Sequence, residues 1–356
     1  GFLGIHILLE LLKHPEYYDR IYCLVRPTKR QTGERRLRAR LMFFDEAEAV
    51  EEIGKTVFAL QGDISAEEIF EQKPDVKIDT VINCAADVSH FAYDDKLERT
   101  NTGGVKNLLR FCAENGAKFI QVSTISVGGI YRKDGEPLTL TEKDLYIGQE
   151  IRNQYILSKY MAEYAALRAA IDQGIEVKIM RVGNLQGRIS DGEFQVQKKT
   201  NAFTRQLLGY AQVGYVPQSL YDSSVNFSPV DEVARMIVAL SRMPKKYSVF
   251  HVYPPQDTPF NRLFSTLSEL GFRLEIVDDN SFADRLKALR EDEEGRRIAE
   301  SILVERPSLQ YIDATVSEDF TQRLLSKLGC YWQPVTDGYL NKYLKALVEM
   351  QLTEED

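Results

Sequence analysis

Short apolar runs alternate with amphipathic stretches through the first three-quarters of the chain, and that alternation leaves few folds open. Residues 21–25, 56–60, 80–84, 119–122 and 177–182 read as buried strands. Ile5, Leu8, Leu9 and Leu12 recur at helical spacing, and Pro15 stops that helix. Residues 30–44 form a basic, helix-prone stretch. Val105, Leu108, Leu109 and Cys112 mark another helix, with Gly116 as its C-terminal cap. Ile156, Tyr160, Tyr164, Leu167 and Ile171 lie on one face of a long helix that ends at Gly174. Apolar strands separated by helices need cover on both faces, so the pattern predicts an α/β fold with a doubly wound, parallel, Rossmann-type sheet.

The pattern loosens after about Asn184. Residues 187–227 read as loops with a short helix near 203–208 and little sheet. Residues 233–240 resume a helix and 249–252 add a strand. From Pro259 onward helices dominate, at 260–270, 281–289, 317–328 and 339–350. A length of 356 residues fits about two domains. The expected division is a Rossmann domain over 1–185, to which 227–255 returns, and a smaller, mostly helical C-terminal substrate domain over 186–226 and 256–356.

Apolar residues make up 44% of the chain, enough for a sizeable core, and charged residues 28%. A net charge of −8 argues against a general nucleic-acid binder, yet leaves room for a local basic phosphate pocket. No run approaches the roughly 18 apolar residues of a membrane helix. Cys23, Cys84, Cys112 and Cys330 are scattered, as are the four histidines. Reduced thiols, a cytoplasmic location and no metal are therefore expected.

Three constellations carry chemistry. The first is Gly1-Phe2-Leu3-Gly4 at a helix start, which fits the end of a glycine-rich turn that seats a pyrophosphate on a helix N-terminus. Many ordinary helices also begin after glycine. The chain opens inside this motif, so a strand and glycine turn before Gly1 are expected, or a strand from a neighbouring chain in their place.

The second is the strand end Cys23-Leu24-Val25-Arg26, with Lys29, Arg30, Arg35 and Arg36 behind it. An acid after this strand would accept ribose hydroxyls, whereas arginine pairs bidentately with a 2′-phosphate. Arg26 and Arg36 are the candidates; a solvated basic helix face is the other reading. The third is Tyr155-x-x-x-Lys159 with Ser123-Thr124-x-Ser126 upstream. Tyr155 and Lys159 share a helix face, and a neighbouring ammonium favours tyrosinate, so Lys159 is expected to lower the Tyr155 pKa. Thr124 falls at the carboxyl edge of the sheet, where such folds bind ligands. By chance alone, tyrosine often precedes lysine by four residues on an amphipathic helix. His90 is a weaker candidate for a base, because Tyr155 and Lys159 already supply proton chemistry.

The chain resembles the extended short-chain dehydrogenase/reductases. The matching segments are Gly1-x-x-Gly4, Gly62-Asp63-Ile64, Asn83-Cys84-Ala85-Ala86, Asn101-x-x-Gly104, Val122-Ser123-Thr124-x-Ser126-Val127 and Tyr155-x-x-Ser158-Lys159-x-x-Ala162-Glu163. Within that group it is most similar to the terminal thioester reductase domain of nonribosomal peptide synthetases. Tyr22 to Arg26, Arg36-Leu37, Asn201-Ala202-Phe203 and Phe227 to Asp231 carry that likeness, and above all Arg181-Val182-Gly183-Asn184-Leu185-x-Gly187-Arg188 with Asp191-Gly192-x-Phe194-Gln195. Cys84-Ala85 stands where the pattern has Gly-Ala.

The resemblance implies that NADPH reduces a peptidyl thioester, tethered by phosphopantetheine to a carrier domain, and releases an aldehyde or, after a second reduction, an alcohol. It gives Tyr155 the proton to donate, Lys159 the nicotinamide ribose to hold, Thr124 the carbonyl oxygen to steady and Asn101 a relay water. It implies cofactor contacts at Gly1, Gly4, Arg26, Arg36, Asp63, Ile64, Ala85, Ala86, Lys159, Gly183 and Asn184. It also implies a monomeric domain of a multidomain synthetase, without nucleic-acid or membrane partners. Carboxylic-acid, aminoadipate-type and acyl-CoA reductases share much of the pattern. Nucleotide-sugar enzymes lack the segment from Arg181 to Gln195, and a non-catalytic dinucleotide sensor would not need Tyr155 and Lys159.

Overall fold

The computed structural model describes residues 1–88, 95–130, 138–195, 201–291, 293–303 and 315–352. It divides into two compact units, Gly1–Gly183 with Val233–Val252 and Ile312–Tyr331, and Asn184–Glu232 with Tyr253–Tyr311 and Trp332–Asp356.

The first unit holds the parallel strands. β1 (Ile21–Val25) pairs with β2 (Val57–Gln61), Ile21 opposite Val57. β3 (Thr80–Asn83), β4 (Lys118–Thr124), β5 (Val177–Val182) and β6 (Val249–Val252) form a four-stranded parallel sheet in the order β6-β5-β4-β3. Phe119 lies opposite Val177, and Thr124 opposite Val182. Among the described residues, β1 pairs only with β2 and β3 only with β4. All six residues of β5 are buried, as an inner strand covered on both faces requires.

Helices α1 (Phe2–Leu12) and α2 (Gly33–Phe43) put Ile5, Leu8, Leu37 and Leu41 against Val57 and its neighbours on β1 and β2. Thr32 starts α2 by accepting the Arg35 N–H. Helices α3 (Gly104–Asn115) and α4 (Gln154–Gln173) pack Leu108, Leu109 and Cys112 with Ala162, Ala166 and Ala169 around Phe119, Val177 and Ile179. The alanines let α4 lie close to the strands, and each fully buried Leu, Val or Phe contributes about 1.5–3 kcal/mol. The segment Ile312–Tyr331, which the sequence pattern places in the helical second domain, groups with the strands instead. Its strand Thr315–Val316 pairs with Thr139–Leu140, and Thr321 bonds both Glu142 and the backbone of His251.

The second unit is mostly helical. Ala202–Val213, Phe260–Glu269 and Asp337–Leu352 carry an aromatic core in which Phe227 contacts Phe203, Tyr339 and Tyr343. It also has short strands where the sequence reads as loop. Tyr215–Pro217 pairs in parallel with Glu275–Val277, a partner too distant in sequence for a local pattern to reveal. No helix of the described residues is long and apolar enough to cross a membrane.

Candidate active site

The site is built where β4 ends. Thr124 Oγ1 accepts the N–H of Ser126 at 3.2 Å and so caps a short 3₁₀ turn, Ile125–Gly128. Gly129 follows with φ of 60°, and a Cβ there would lie 2.7 Å from the Glu150 carbonyl oxygen. That close approach lets Ile130 and Glu150 exchange backbone hydrogen bonds at 2.8 and 2.7 Å. Gln149 reinforces the contact. Its Nε2 donates to the carbonyls of Val127 and Leu145 at 3.1 and 2.8 Å, and its Oε1 accepts the Ile147 N–H at 2.7 Å. The turn after Thr124 is therefore fastened to the segment that leads into α4.

Asn153 caps α4, accepting the Ile156 N–H at 3.1 Å, which puts Tyr155 in the first turn and Lys159 in the second. Lys159 is 4% exposed and its Nζ donates to the Val122 carbonyl at 2.6 Å. The same carbonyl accepts Gln121 Nε2 at 2.7 Å. Gln121 Oε1 takes Asn83 Nδ2 at 2.9 Å, and Asn83 Oδ1 takes the Ala85 N–H at 3.1 Å. One buried amide chain thus ties the ends of β3 and β4 to Lys159. Burial lowers the Lys159 ammonium to about 8, against the opposing pull of Glu163 and Cys84.

Tyr155 differs from its expected state. Burial pushes its phenol up to about 12 rather than down. Desolvation of the ring is the cause, and the ammonium of Lys159 is bonded instead to the Val122 carbonyl.

Asn101 lies in a π-helical stretch, Glu98–Gly103, and is 2% exposed. Such widened turns recur at functional sites. Its Oδ1 accepts the Asp87 N–H at 2.7 Å, and its Nδ2 donates to the Asp87 carbonyl and to Ser158 Oγ, both at 2.9 Å. Ser158 Oγ donates in turn to the Tyr155 carbonyl at 2.7 Å, and Thr102 Oγ1 to the Ser158 carbonyl at 3.1 Å. The Asn101 amide is thereby engaged inside the protein, clamping the segment after β3 to the first turn of α4.

The remaining expected residues spread over the same end of the first unit, with one exception. Gly1 heads α1, and a Cβ on Gly4 would lie 3.5 Å from that of Cys84. Arg26, just past β1, keeps 62% of its side chain exposed and reaches Asp63 Oδ2 at 3.5 Å. Arg36 donates to the Arg26 carbonyl. Lys29, Arg30 and Arg35 are exposed. Burial acts to raise the Asp63 pKa, but hydrogen bonds from Ser65 and the charge of Arg26 bring it below the usual carboxylate value. Ile64 packs under Gly104, and Asn107 Nδ2 holds the carbonyls of Ile64 and Ala66 at 2.9 Å each. Ala85 is exposed and Ala86 half-buried beyond β3, and Gly183 follows β5. Asn184 belongs to the second unit, where its N–H meets Asn226 Oδ1 and its carbonyl the Ser228 N–H, both at 3.0 Å. His90 lies outside the described residues. Sequence reasoning does not single out Gln149, Asn107 or the pairing of Glu163 with Arg181; the last two residues enter it only as parts of separate motifs.

A family of NAD-binding domains, described as male sterility protein, matches residues 1–237. The chain belongs to this family. It is 28% identical over 305 residues to a linear gramicidin synthase of Brevibacillus parabrevis, in a match covering 82% of this chain and 6% of that protein. It is 28% identical over 301 residues to the L-2-aminoadipate reductase large subunit of Penicillium chrysogenum, covering 78% of this chain and 20% of that one. Among solved structures it is similar to a thiolation-reductase di-domain from an archaeal nonribosomal peptide synthetase, with a TM-score of 0.87 and 32% identity over 99% of this chain and 74% of that chain. The chain thus spans 6% and 20% of the length of those two curated relatives, and it is homologous to reductase domains of nonribosomal peptide synthetases.

The family implies a nicotinamide dinucleotide, and the donor set suits one. An exposed arginine stands past β1, a carboxylate past β2, small residues past β3 and a buried ammonium beside β4.

Proposed function

We propose that this chain is a reductive-release domain that uses NADPH to reduce a carrier-bound peptidyl thioester to an aldehyde. The observation that carries this reading is that Thr124 ends β4, Lys159 is bonded to the Val122 carbonyl two residues before it, and Tyr155 precedes Lys159 by one turn of α4. The similarity to synthetase reductase domains supports the substrate class. Arg26 supports the phosphorylated cofactor, since its exposed guanidinium pairs well with a 2′-phosphate, and the half-buried Arg36 adds positive charge beside it while bonding the Arg26 carbonyl.

NADPH, when bound, supplies the hydride. Thr124 Oγ1 already accepts the Ser126 N–H, which leaves the hydroxyl hydrogen to point at the substrate carbonyl oxygen. Tyr155 donates the proton that this oxygen needs as negative charge develops. A phenol held near 12 carries its proton throughout the neutral range, as a donor must. Lys159 orients the ribose and stabilises the tyrosinate left behind. Asn101 positions α4 through Ser158. The hemithioacetal then collapses, releasing the carrier thiol and the aldehyde.

Incubating the protein with NADPH and a carrier-bound peptidyl thioester, with the product identified by mass, tests the reading. Aldehyde formation with matching NADPH loss is expected. Turnover of amino-acyl thioesters but not peptidyl ones would shift it to an aminoadipate-type reductase, the class of one relative. No reduction of either would overturn it.

A further inference from the structure

Tyr155, Lys159 and Glu163 follow one another at four-residue spacing and so share a face of α4. The proposed chemistry uses the first two. The third is a carboxylate with no exposed surface, a costly placement unless it is paired. Arg181, on β5 and equally buried, supplies the partner. Its Nε lies 3.2 and 3.1 Å from the two Glu163 oxygens, and a second guanidinium nitrogen 2.8 Å from Oε2. The remaining donors of Arg181 go to the carbonyls of Asp144 and Thr141, at 2.8 and 3.4 Å, and to His251 Nε2 at 3.1 Å. Because that ring nitrogen accepts, His251 carries its hydrogen on Nδ1, which donates to the Ser317 carbonyl at 2.6 Å.

The surroundings of Lys159 are otherwise poor in charge. From β3 comes Cys84, whose thiol burial keeps protonated. From β4 comes only the Val122 carbonyl dipole. On its own helix Tyr155 is a neutral phenol. From β5 comes Arg181, already matched by Glu163, and from β6 comes His251, kept neutral by burial and by Arg181. Glu163 is therefore the one anion acting on Lys159 from these elements, its charge offset in part by the Arg181 guanidinium it pairs with.

We infer that Glu163, locked in place by Arg181, is a positioning residue for Lys159: its carboxylate, one helical turn further on, stabilises the buried ammonium. This rests on the role proposed for Lys159. An ion pair that served only to join α4 to β5 would leave Lys159 indifferent to it.

The test reads Lys159 directly. The ε-carbon signal of Lys159 in lysine-labelled protein, assigned by its loss in Lys159→Arg, is titrated by NMR in wild type, Glu163→Gln and Glu163→Asp. In Glu163→Gln the midpoint is expected to fall by about one pH unit, and in Glu163→Asp to return most of the way. The basic limb of kcat/KM for a synthetic acyl thioester should move with it. An unchanged Lys159 midpoint in folded Glu163→Gln protein overturns the inference. A shifted midpoint with an unshifted kcat/KM profile upholds it and instead removes the catalytic role of Lys159. If Glu163→Gln does not fold because Arg181 is left unpaired, the double variant Glu163→Gln/Arg181→Met removes both charges. A smaller drop of the same sign is expected there, because the Arg181 charge that partly offsets Glu163 is lost with it, and no drop overturns the inference.

Discussion

Lys159 crosses from α4 to place its ammonium 2.6 Å from the Val122 carbonyl, two residues before Thr124 on the same strand. The ammonium proposed to hold the ribose and the hydroxyl proposed to meet the substrate oxygen are therefore fixed by one piece of backbone. A shift of β4 would move both together.

Tyr155→Phe removes the proposed proton donor and keeps the ring, and the Ser158 contact to the Tyr155 backbone is unaffected. The variant should fold and bind NADPH as wild type does, while kcat falls by about 10²-fold or more. Cofactor binding by fluorescence beside single-turnover rates checks this, and wild-type turnover would take Tyr155 out of the mechanism.

NADPH should outperform NADH in kcat/KM by about 10–100-fold, the worth of one charge-assisted pair to phosphate. Arg26→Ala should erase most of that ratio by weakening NADPH use, leaving NADH use nearly unchanged. Equal kcat/KM for the two cofactors in the wild type would contradict the assignment.

Gln149→Ala cuts three hydrogen bonds that fasten the turn after Thr124 to the approach of α4. Buried carbonyls left without donors cost about 1–3 kcal/mol of stability. Turnover should drop by about tenfold, because Thr124 and Tyr155 lose their common support. Thermal melts and kcat, measured together, decide whether the clamp serves stability alone.

Acid should weaken the first unit through His251. Burial, with Arg181 alongside, lowers its pKa from 6.5 to about 4. The unfolded chain thus takes up the proton first, so this contribution is full above about 6.5 and is lost as the pH falls toward 4. The loss amounts to about 3 kcal/mol at most. Urea midpoints between pH 4 and 7 should fall accordingly in the wild type and flatten in His251→Gln.

Much of the first unit is legible in the sequence. The strands at 21–25, 177–182 and 249–252 appear where their apolar runs place them; 177–182 is buried throughout, as cover on both faces requires, whereas 21–25 is only half-buried. The π-helical stretch around Asn101 is not legible, since one widened turn leaves no periodic trace. Nor is the anchoring of its side chain, whose amide bonds Asp87 and Ser158. Thr124, Tyr155 and Lys159 can be named from spacing. The Tyr155 pKa cannot, because its direction depends on burial rather than on the nearby lysine. Glu163 and Arg181 are visible as separate residues, but only the packing of α4 on β5 makes them a pair.

Cys84 lies close enough to Lys159 for the two to influence each other's charge, and under the proposed function a nucleophile there would be a liability. A thiolate there would capture the acyl group by exchange and strand it on the protein. Burial pushes the Cys84 thiol up to about 11, so it keeps its proton through the neutral range. Under the proposed function, the same desolvation that crowds Lys159 would leave the acyl chain on its carrier and spare the protein from acylating itself.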